Sequence, residues 1–344
     1  MNDMLDAIPT IRWVGGAVRI LDQRRLPRFE VERDLRTPAE LTRAIRELAI
    51  RGAPALGIAG AFGVALAAAV TRGSGGDPKG RIHSAARRIA TCRPTAANLA
   101  AGVDRALKRL DGMSPTERGD PGLAERLSSI GEEILAEDLE ASRRMARYGA
   151  SLIPAGQAVI THCNTGGLAT GGLGTALAVI REAHRGQRVR EVLVDETRPL
   201  LQGGRLTLWE LRRAGIPARL MCDGASGWAM RRLGVGCVLV GADRVAANGD
   251  TANKIGTLNL AVAAQSMGIP FYVVAPTSSF DPGLIRGEEI AIEERSEAEV
   301  LAASGWGKGD GVAAFNPAFD VTPARWITAW VTELGVLQPP FPGP

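Results

Sequence analysis

Two side chains that can take part in proton transfer follow apolar runs of the kind that form buried strands. Cys163 comes after Ala158-Val-Ile-Thr-His, and Asp243 comes after Cys237-Val-Leu-Val-Gly-Ala. Thiols and carboxyls are groups that general acid–base catalysis uses. Each residue also has a structural explanation, because a lone cysteine is most often a small buried hydrophobe and an aspartate at a strand end often caps the next turn. The two residues alone leave both roles open.

A glycine-rich stretch follows Cys163 directly. It has the sequence Asn164-Thr-Gly-Gly-Leu-Ala-Thr-Gly-Gly-Leu-Gly-Thr and leads into a predicted helix over 176–184. Glycine lets backbone amides approach a ligand closely, and a helix N-terminus favours an anion. The spacing fits neither the G-x-G-x-x-G dinucleotide motif nor a phosphate loop that ends in Gly-Lys-Ser/Thr. This stretch therefore suits a sugar phosphate better than a nucleotide.

Cationic side chains in surroundings that favour anions form a third group. Lys254, one of four lysines, follows Asn253 in a stretch rich in Gly, Asn and Thr, and both residues are predicted at a helix start. Arg51 precedes Gly52-Ala53 and an apolar helix, and Arg93 precedes another helix. Such positions suit a phosphate or an oxyanion. Arginine is common in this sequence, so neither arginine is distinctive by itself.

Metal binding is not expected. Four cysteines (Cys92, Cys163, Cys222 and Cys237) show no C-x-x-C spacing and have no partnered histidines, which disfavours a zinc site or a disulfide framework. His162 lies beside Cys163, and we expect its side chain to point away, toward packing or a backbone partner.

Alternating strands and helices position these residues. After about residue 154, short β-branched runs begin near 158, 192, 219, 237 and 271 and alternate with helical stretches, which is typical of a parallel sheet covered by helices. Open sheets of this kind bind ligands at the carboxyl ends of their strands. Polar residues follow the runs at Cys163-Asn164, Asp195-Glu196, Cys222-Asp223 and Asp243. We therefore predict a site assembled from several strand ends.

The first part of the chain has a different pattern. The segment from Ile11 to Arg25 alternates around Gly15-Gly16 and predicts a β-hairpin. Helical patterns follow from about residue 38, and the last of them is a long helix that begins at Leu123. Pro154, which follows this helix, is a suitable position for a domain boundary. We predict a domain of hairpin and helices over 1–152 and an α/β domain with a parallel sheet over 153–344.

Composition excludes several classes of function. The chain has 344 residues, of which 45% are hydrophobic and 23% charged, so it is an ordinary globular protein. Its net charge of +4 comes from scattered bases, which disfavours a nucleic-acid partner. The apolar run 55–70 has fewer than the roughly 20 residues of a membrane span, and the N-terminus lacks the pattern of a secretory signal. We expect a cytoplasmic protein with no membrane partner.

Seven segments together resemble the methylthioribose-1-phosphate isomerases, which belong to a wider family with the α, β and δ regulatory subunits of translation initiation factor eIF2B. They are RGAPALG at Arg51, CRPTAANL at Cys92, THCNTGGLATGGLGTAL at Thr161, DETRPLLQGGRLTLWEL at Asp195, GADRVAANGDTANKIGTLNLA at Gly241, PFYVVAPTSSFD at Pro270 and NPAFDVTP at Asn316. The resemblance implies a Rossmann-like second domain, a homodimer, and conversion of 5-methylthioribose 1-phosphate to 5-methylthioribulose 1-phosphate in methionine salvage, without metal or organic cofactor.

The resemblance also implies site residues. The catalytic pair falls on Cys163 and Asp243, and the substrate contacts fall on Arg51, Gly52, Ala53, Arg93, Gln202, Asn253 and Lys254. These contacts are far apart in sequence, so the two domains are expected to close over the ligand. An acid must protonate the ring oxygen of the sugar, and the apolar run before Asp243 favours a raised pKa for its carboxyl. Cys163 then acts as a base or stabilises the transition state, by an enediol or a hydride route.

Two other functions share the expected fold. A non-catalytic regulatory subunit of the eIF2B kind would bind a phosphorylated ligand or a partner, and the presence of both Cys163 and Asp243 argues against it. A ribose-1,5-bisphosphate isomerase would need further cations for its second phosphate, for which Arg198 and Arg205 are candidates. Departures from the isomerase pattern at Leu258 and Gln265 are mild and concern substrate preference.

Overall fold

A computed structural model describes residues 7–73, 76–93, 95–307 and 310–341. The chain forms two compact units. One comprises Met1–Glu140 and Gly167–Gly174, and the other comprises Ala141–Gly166 and Thr175–Pro344. Cys163 therefore belongs to the second unit, whereas most of the glycine-rich turn that follows it belongs to the first.

The first unit joins a small antiparallel sheet to a group of helices. Its elements are β1 (Ile11–Val14), β2 (Ala17–Leu21), β3 (Glu32–Leu35), α1 (Pro38–Arg46), α2 (Ala53–Thr71), α3 (Lys79–Ala90), α4 (Ala97–Asp111), α5 (Pro115–Arg118) and α6 (Leu123–Ala150), whose last residues lie in the second unit. The predicted hairpin is present, and both glycines of its turn, Gly15 and Gly16, have positive φ. The third strand has the sequence Glu-Arg-Asp-Leu, which lacks a strand pattern. It forms because it pairs with β2.

Helix α2 is the core helix of the first unit. By length and composition it is apolar enough to cross a membrane, but 78% of its most apolar window is buried inside the protein. Close packing against α4 depends on glycine, because a Cβ at Gly102 would come 1.9 Å from the Gly57 carbonyl oxygen. As predicted, α2 begins directly after Gly52. Pro94, which belongs to the CRPTAANL motif before α4, lies outside the described residues.

The second unit contains the larger sheet. Its elements are β4 (Gln157–Thr161), α7 (Ala176–Arg185), β5 (Val189–Asp195), α8 (Leu208–Arg213), β6 (Ala218–Met221), α9 (Ser226–Arg232), β7 (Val235–Val240), β8 (Arg244–Ala246), β9 (Thr251–Lys254), α10 (Thr257–Ser266), β10 (Phe271–Val274), β11 (Phe280–Asp281), α11 (Ala298–Leu301), β12 (Phe319–Thr322), β13 (Ala329–Thr332) and β14 (Gly335–Leu337).

Seven strands form this sheet in the order β14-β13-β10-β7-β4-β5-β6. Neighbours are parallel except at the edge, where β14 runs antiparallel to β13. Both faces are buried, since Val159 packs into one apolar cluster and Ile160 into the other. A strand buried on both faces has a continuous apolar sequence, and all five predicted strands are present. The predicted α/β fold class is confirmed.

A smaller sheet has the order β11-β8-β9-β12. It corrects one prediction, because Asn253 and Lys254 lie in strand β9 and not at a helix start. Strand β9 pairs antiparallel with β12, where Asn253 lies opposite Asp320. Helix α10 begins only at Thr257, where the Asp320 carboxylate accepts hydrogen bonds from the backbone N–H groups of Gly256 (2.7 Å) and Leu258 (3.1 Å). A partner strand more than sixty residues away thus decides the local structure.

Candidate active site

The two predicted catalytic residues follow neighbouring strands of the large sheet. Strand β4 lies between β5 and β7, so Cys163 after β4 and Asp243 after β7 lie at the same carboxyl edge. The segments after the two strands touch, because a Cβ at Gly241 would come 2.9 Å from Thr165 Cγ2. The sheet topology therefore places the thiol and the carboxyl on adjacent strand ends.

Cys163 has a backbone conformation that is rare for a residue other than glycine. Its φ is 60°, and the residue is 7% exposed. The backbone N–H of Cys163 donates to Thr197 Oγ1 at 2.9 Å, and Thr207 Oγ1 donates to the Cys163 carbonyl oxygen at 2.6 Å. Such conformations cost about 1–3 kcal/mol and persist only where the surroundings fix them. Two buried hydroxyl groups supply that constraint here.

A buried ion pair anchors the residues that follow Cys163. Asn164 Nδ2 donates to Glu210 Oε1 at 2.8 Å, and Arg181 Nη2 donates to Glu210 Oε2 at 3.2 Å. Glu210 is fully buried, and a buried carboxylate without partners would be strongly destabilising. A Cβ at Gly166 would come 2.2 Å from this carboxylate. The segment is thereby fixed to α7 and α8, and only glycine fits at position 166.

His162 is buried and has two hydrogen-bond partners. Its Nδ1 lies 3.0 Å from Asp195 Oδ2, and its Nε2 lies 2.8 Å from the Ile255 carbonyl oxygen. Because a carbonyl oxygen only accepts, Nε2 carries a proton. Burial lowers the pKa of His162, but the hydrogen bond and the charge of Asp195 outweigh it, so the pKa lies above its ordinary value. The Ile255 carbonyl group is the kind of backbone partner that we expected for His162, whereas its pairing with Asp195 was not predicted.

The ligand atoms of His162, Asp195 and Asp223 lie within 4.8 Å of one another, a spacing that suits a metal ion. Asp195 Oδ1 already accepts from Ser226 Oγ at 2.5 Å. The two Asp223 oxygens accept from the backbone N–H groups of Thr197 and Arg198, each at 2.7 Å. A metal ion would compete with all of these bonds. The donor set therefore fits a hydrogen-bonded cluster better than a metal centre.

Three predicted contact residues lie in the second unit. Asn253 is buried and donates from Nδ2 to Thr257 Oγ1 at 3.0 Å. Lys254 Nζ donates to the Ala318 carbonyl oxygen at 2.8 Å and lies 4.3 Å from the centre of the Phe319 ring. Gln202 is 5% exposed, and its Oε1 has no hydrogen-bond partner among the described residues. A buried amide oxygen in this condition is uncommon and indicates a place for a ligand or a water.

The other predicted contacts lie in the first unit. Gly52 has φ of 99°, and a Cβ there would come 2.3 Å from the Ala169 carbonyl oxygen. The segment of Arg51, Gly52 and Ala53 therefore packs against the glycine-rich turn. Arg93 is half-buried and follows helix α3.

Side chains of the first unit hold that turn in place. Thr10 Oγ1 donates to the Gly167 carbonyl oxygen and Gln23 Nε2 donates to that of Leu168, each at 2.7 Å. Asp138 accepts from the Gly171 N–H at 2.6 Å. Burial raises the pKa of Asp138 to about 6, against the effect of this hydrogen bond. The turn is thus a fixed part of the first unit.

Sequence reasoning missed Thr197, Thr207 and Glu210. One signal was available, because Glu210 lies within the apolar stretch Leu206-Thr-Leu-Trp-Glu-Leu, and a charged residue in such a stretch usually has a buried partner. The threonines have no comparable signal, since Cys163 is 34 residues from Thr197 and 44 residues from Thr207.

Cys163 and Asp243 lie at the carboxyl ends of the strands, which is where open α/β sheets bind small molecules. The fold and the candidate site are therefore those of an α/β protein that binds a small ligand. The model of the Initiation factor 2 subunit family matches residues 49–339. The chain belongs to this family.

Similar proteins cover nearly the whole chain. A methylthioribose-1-phosphate isomerase from Thioalkalivibrio sulfidiphilus is 48% identical over 336 residues, which are 97% of this chain and 95% of that protein. The crystal structure of 5-methylthioribose 1-phosphate isomerase from Pyrococcus horikoshii OT3 has a TM-score of 0.88 and 39% identity, and covers 98% of this chain and 94% of that one. A crystal structure described as translation initiation factor eIF-2B, subunit delta, from A. fulgidus has a TM-score of 0.83 and 41% identity, with 97% of both chains covered. The predicted resemblance is confirmed.

Proposed function

We propose that this protein is an aldose–ketose isomerase that converts 5-methylthioribose 1-phosphate to 5-methylthioribulose 1-phosphate in methionine salvage. The observation that carries the proposal is the full-length similarity to proteins named methylthioribose-1-phosphate isomerase, at 48% identity over 97% of this chain for one of them. The solved isomerase structure of the same fold supports it.

The chemistry assigns a role to each catalytic residue. The anomeric oxygen of the substrate is esterified, so the ring opens only when an acid protonates the ring oxygen as its bond to C1 breaks. We propose Asp243 as this acid. Hydrogen then moves from C2 to C1, and the C2 hydroxyl loses its proton to become the ketone. In an enediol route the Cys163 thiolate takes the C2 proton and returns it to C1, and in a hydride route the C2 hydrogen moves directly to C1 while Cys163 stabilises the transition state. In both routes the Asp243 carboxylate, which has given its proton to the ring oxygen, accepts the C2 hydroxyl proton. The positions of Cys163 and Asp243 on adjacent strand ends support both roles.

We propose that the substrate contacts Arg51, Gly52, Ala53, Arg93, Gln202, Asn253 and Lys254. The unpaired amide oxygen of Gln202 supports its assignment. The contact of Gly52 with the glycine-rich turn supports a place for the first three residues beside that turn. No metal or organic cofactor takes part in the proposed reaction, in keeping with the hydrogen-bonded state of His162, Asp195 and Asp223.

Turnover of two sugar phosphates, measured side by side, tests the function. We expect the purified protein to convert 5-methylthioribose 1-phosphate with a kcat of about 1–1000 per second and to convert ribose 1,5-bisphosphate more slowly. The second phosphate requires an additional cation, and the candidates Arg198 and Arg205 donate to the backbone carbonyl oxygens of Val300 (2.9 Å) and Leu200 (3.3 Å). Faster turnover of the bisphosphate would favour the rival isomerase, and ligand binding without turnover of either sugar would favour a regulatory subunit.

Dialysis against EDTA tests whether the reaction needs a metal ion. We expect kcat for 5-methylthioribose 1-phosphate to stay unchanged after dialysis. A loss of activity that a divalent ion restores would contradict the proposal. His162, Asp195 and Asp223 would then be the candidate metal ligands.

We further propose a cytoplasmic homodimer. Cys92, Cys163, Cys222 and Cys237 form no disulfide bond, as is usual in a reducing compartment. Trp228 on α9 is 66% exposed, and Val262 on α10 and Met267 at its end are 43% and 41% exposed. Helices α9 and α10 lie side by side, because a Cβ at Gly227 would be 3.9 Å from Ala263 Cβ. Exposed apolar groups on one pair of helices are typical of an interface, which supports contact between two copies here.

Replacement of Trp228 tests the dimer. We expect analytical ultracentrifugation of the wild-type protein to give a molar mass twice the chain mass of 36.2 kDa. Trp228→Glu should weaken the dimer by about thirtyfold or more, since a buried interface tryptophan is typically worth at least ~2 kcal/mol. Trp306→Glu is the matched control, because Trp306 is also exposed. A monomeric wild-type protein, or an equal effect of both changes, would contradict the proposal.

A further inference from the structure

Two strained residues follow the neighbouring strands β4 and β5. Cys163 has φ of 60° and Thr197 has φ of 66°, and one hydrogen bond joins these two residues. Residues with a Cβ rarely adopt this left-handed region, and neither cysteine nor threonine favours it. Paired strain of this kind persists only where neighbouring groups over-determine the geometry, and it is concentrated at functional sites.

Two threonine hydroxyls over-determine the geometry of Cys163. Thr197 Oγ1 donates its one proton to the Asp195 carbonyl oxygen (3.1 Å), so toward the Cys163 N–H (2.9 Å) it acts as acceptor. Thr207 Oγ1 donates to the Cys163 carbonyl oxygen (2.6 Å) and accepts from Asn164 Nδ2 (3.2 Å). Both threonines are fully buried. Each backbone polar group of Cys163 is thus held by a hydroxyl that a second bond orients.

We propose that Thr197 and Thr207 are positioning residues that hold the Cys163 thiol in its reactive orientation. The proposal rests on the proposed function, because it takes Cys163 as a catalytic residue. The direction of the Cys163 Cα–Cβ bond follows its backbone dihedrals, so relaxation from positive φ would turn the thiol away from its present position. Reacting groups must stay within about 0.5 Å of their productive geometry. A displacement of about 1 Å can lower the rate by roughly a hundredfold.

The proposed positioning role of Thr207 depends on its hydroxyl group and not on the volume of its side chain. Valine has nearly the same shape as threonine without the hydroxyl, and serine keeps the hydroxyl with a smaller side chain. Thr207→Val leaves Asn164 with its second partner Glu210, so its main effect falls on the Cys163 carbonyl group. Thr332 is a matched control, because it is also fully buried, donates to the Gly335 carbonyl oxygen (3.1 Å) and accepts from the Leu334 N–H (3.1 Å).

The experiment compares Thr207→Val, Thr207→Ser, Thr197→Val and Thr332→Val in the full chain. We expect Thr207→Val and Thr197→Val to lower kcat for 5-methylthioribose 1-phosphate about 10- to 100-fold, with KM changed less than about threefold. Thr207→Ser should recover kcat to within about threefold of the wild type, and Thr332→Val should leave kcat unchanged. If Thr207→Val does not fold, the kcat values of Thr197→Val and Thr207→Ser test the positioning role.

A second measurement does not depend on the reaction. The alkylation rate of each cysteine by iodoacetamide is followed by mass spectrometry, and we expect the Cys163 rate to differ from wild type by at least about threefold in the two valine variants while the exposed Cys222 keeps its rate. Absence of turnover in the wild-type protein would refute the proposed function but leave this comparison valid. Unchanged Cys163 alkylation in both valine variants, or an equal loss of kcat in Thr332→Val, would overturn the positioning role.

Discussion

Cys163→Ala and Asp243→Asn should each lower kcat by about two to four orders of magnitude, which is the usual contribution of a general acid or base. KM should change by less than about threefold, because neither change removes a contact proposed for the phosphate. Asparagine keeps the shape of Asp243 but cannot donate the proton that ring opening needs. Steady-state kinetics with 5-methylthioribose 1-phosphate measures both effects.

Cys237→Ala is the matched control for the thiol. Cys237 is fully buried in strand β7, and burial raises the pKa of its thiol to about 12, so it stays protonated. Its replacement removes the same kind of group from a strand next to β4 and should alter stability without a large change in kcat. A variant of Cys163 or Asp243 with a near wild-type kcat would show that the assignment of that residue is wrong. The prediction that Asp243 has a raised pKa stays a prediction, which the pH dependence of kcat can test.

The centre of the large sheet is predictable from sequence because strands β4, β7 and β10 are buried on both faces. Strand β7 is buried at every position and reads as one apolar run. The small sheet is not predictable in this way. Strand β9 has the sequence Thr-Ala-Asn-Lys and forms through its pairing with β8 and β12. A polar strand of four residues has no periodic pattern, so only the tertiary partner distinguishes it from the start of helix α10.

The position of Cys163 and Asp243 at one edge of the sheet is also predictable, since parallel strands bring their carboxyl ends to one edge. The roles of the glycines in the glycine-rich turn are harder to predict. The sequence favours a ligand as the reason for the glycine-rich turn, but a Cβ at Gly167 would lie 2.1 Å from the Gly172 carbonyl oxygen and one at Gly166 would lie 2.2 Å from Glu210. These two glycines are therefore required by packing. Sequence alone does not distinguish this reason from close approach to a phosphate.

The hydrogen bonds of Thr197 and Thr207 to Cys163 could not be predicted from the sequence. Each joins a side chain to the backbone of a residue far away in sequence, and such bonds leave no local spacing pattern. The same holds for the pair of His162 and Asp195, which are 33 residues apart. Local sequence therefore points to candidate catalytic residues more readily than to the residues that fix their geometry.

Arg51→Ala and Arg93→Ala should each weaken the binding of a phosphorylated inhibitor by about 10- to more than 100-fold. A phosphate dianion has several acceptor oxygens, and a charge-assisted hydrogen bond from arginine is typically worth about 1.5–3 kcal/mol. Both side chains are half-buried, so solvent screens their charge less than that of an exposed arginine. Arg93→Lys should recover only part of the affinity, because lysine keeps the charge but cannot form two parallel hydrogen bonds. Isothermal titration calorimetry measures the dissociation constants.

Arg88→Ala provides the control for loss of charge alone. Arg88 is exposed on α3, only five residues before Arg93, and its Nη1 donates to Ser84 Oγ at 3.0 Å. A screened surface charge contributes little to binding, so we expect an unchanged dissociation constant for this variant. If the three alanine variants bind alike, the phosphate lies elsewhere. Retained affinity in Arg51→Ala and Arg93→Ala together with a large loss in Lys254→Met would place the phosphate contacts in the second unit, on strand β9, and would remove the two arginines from the site.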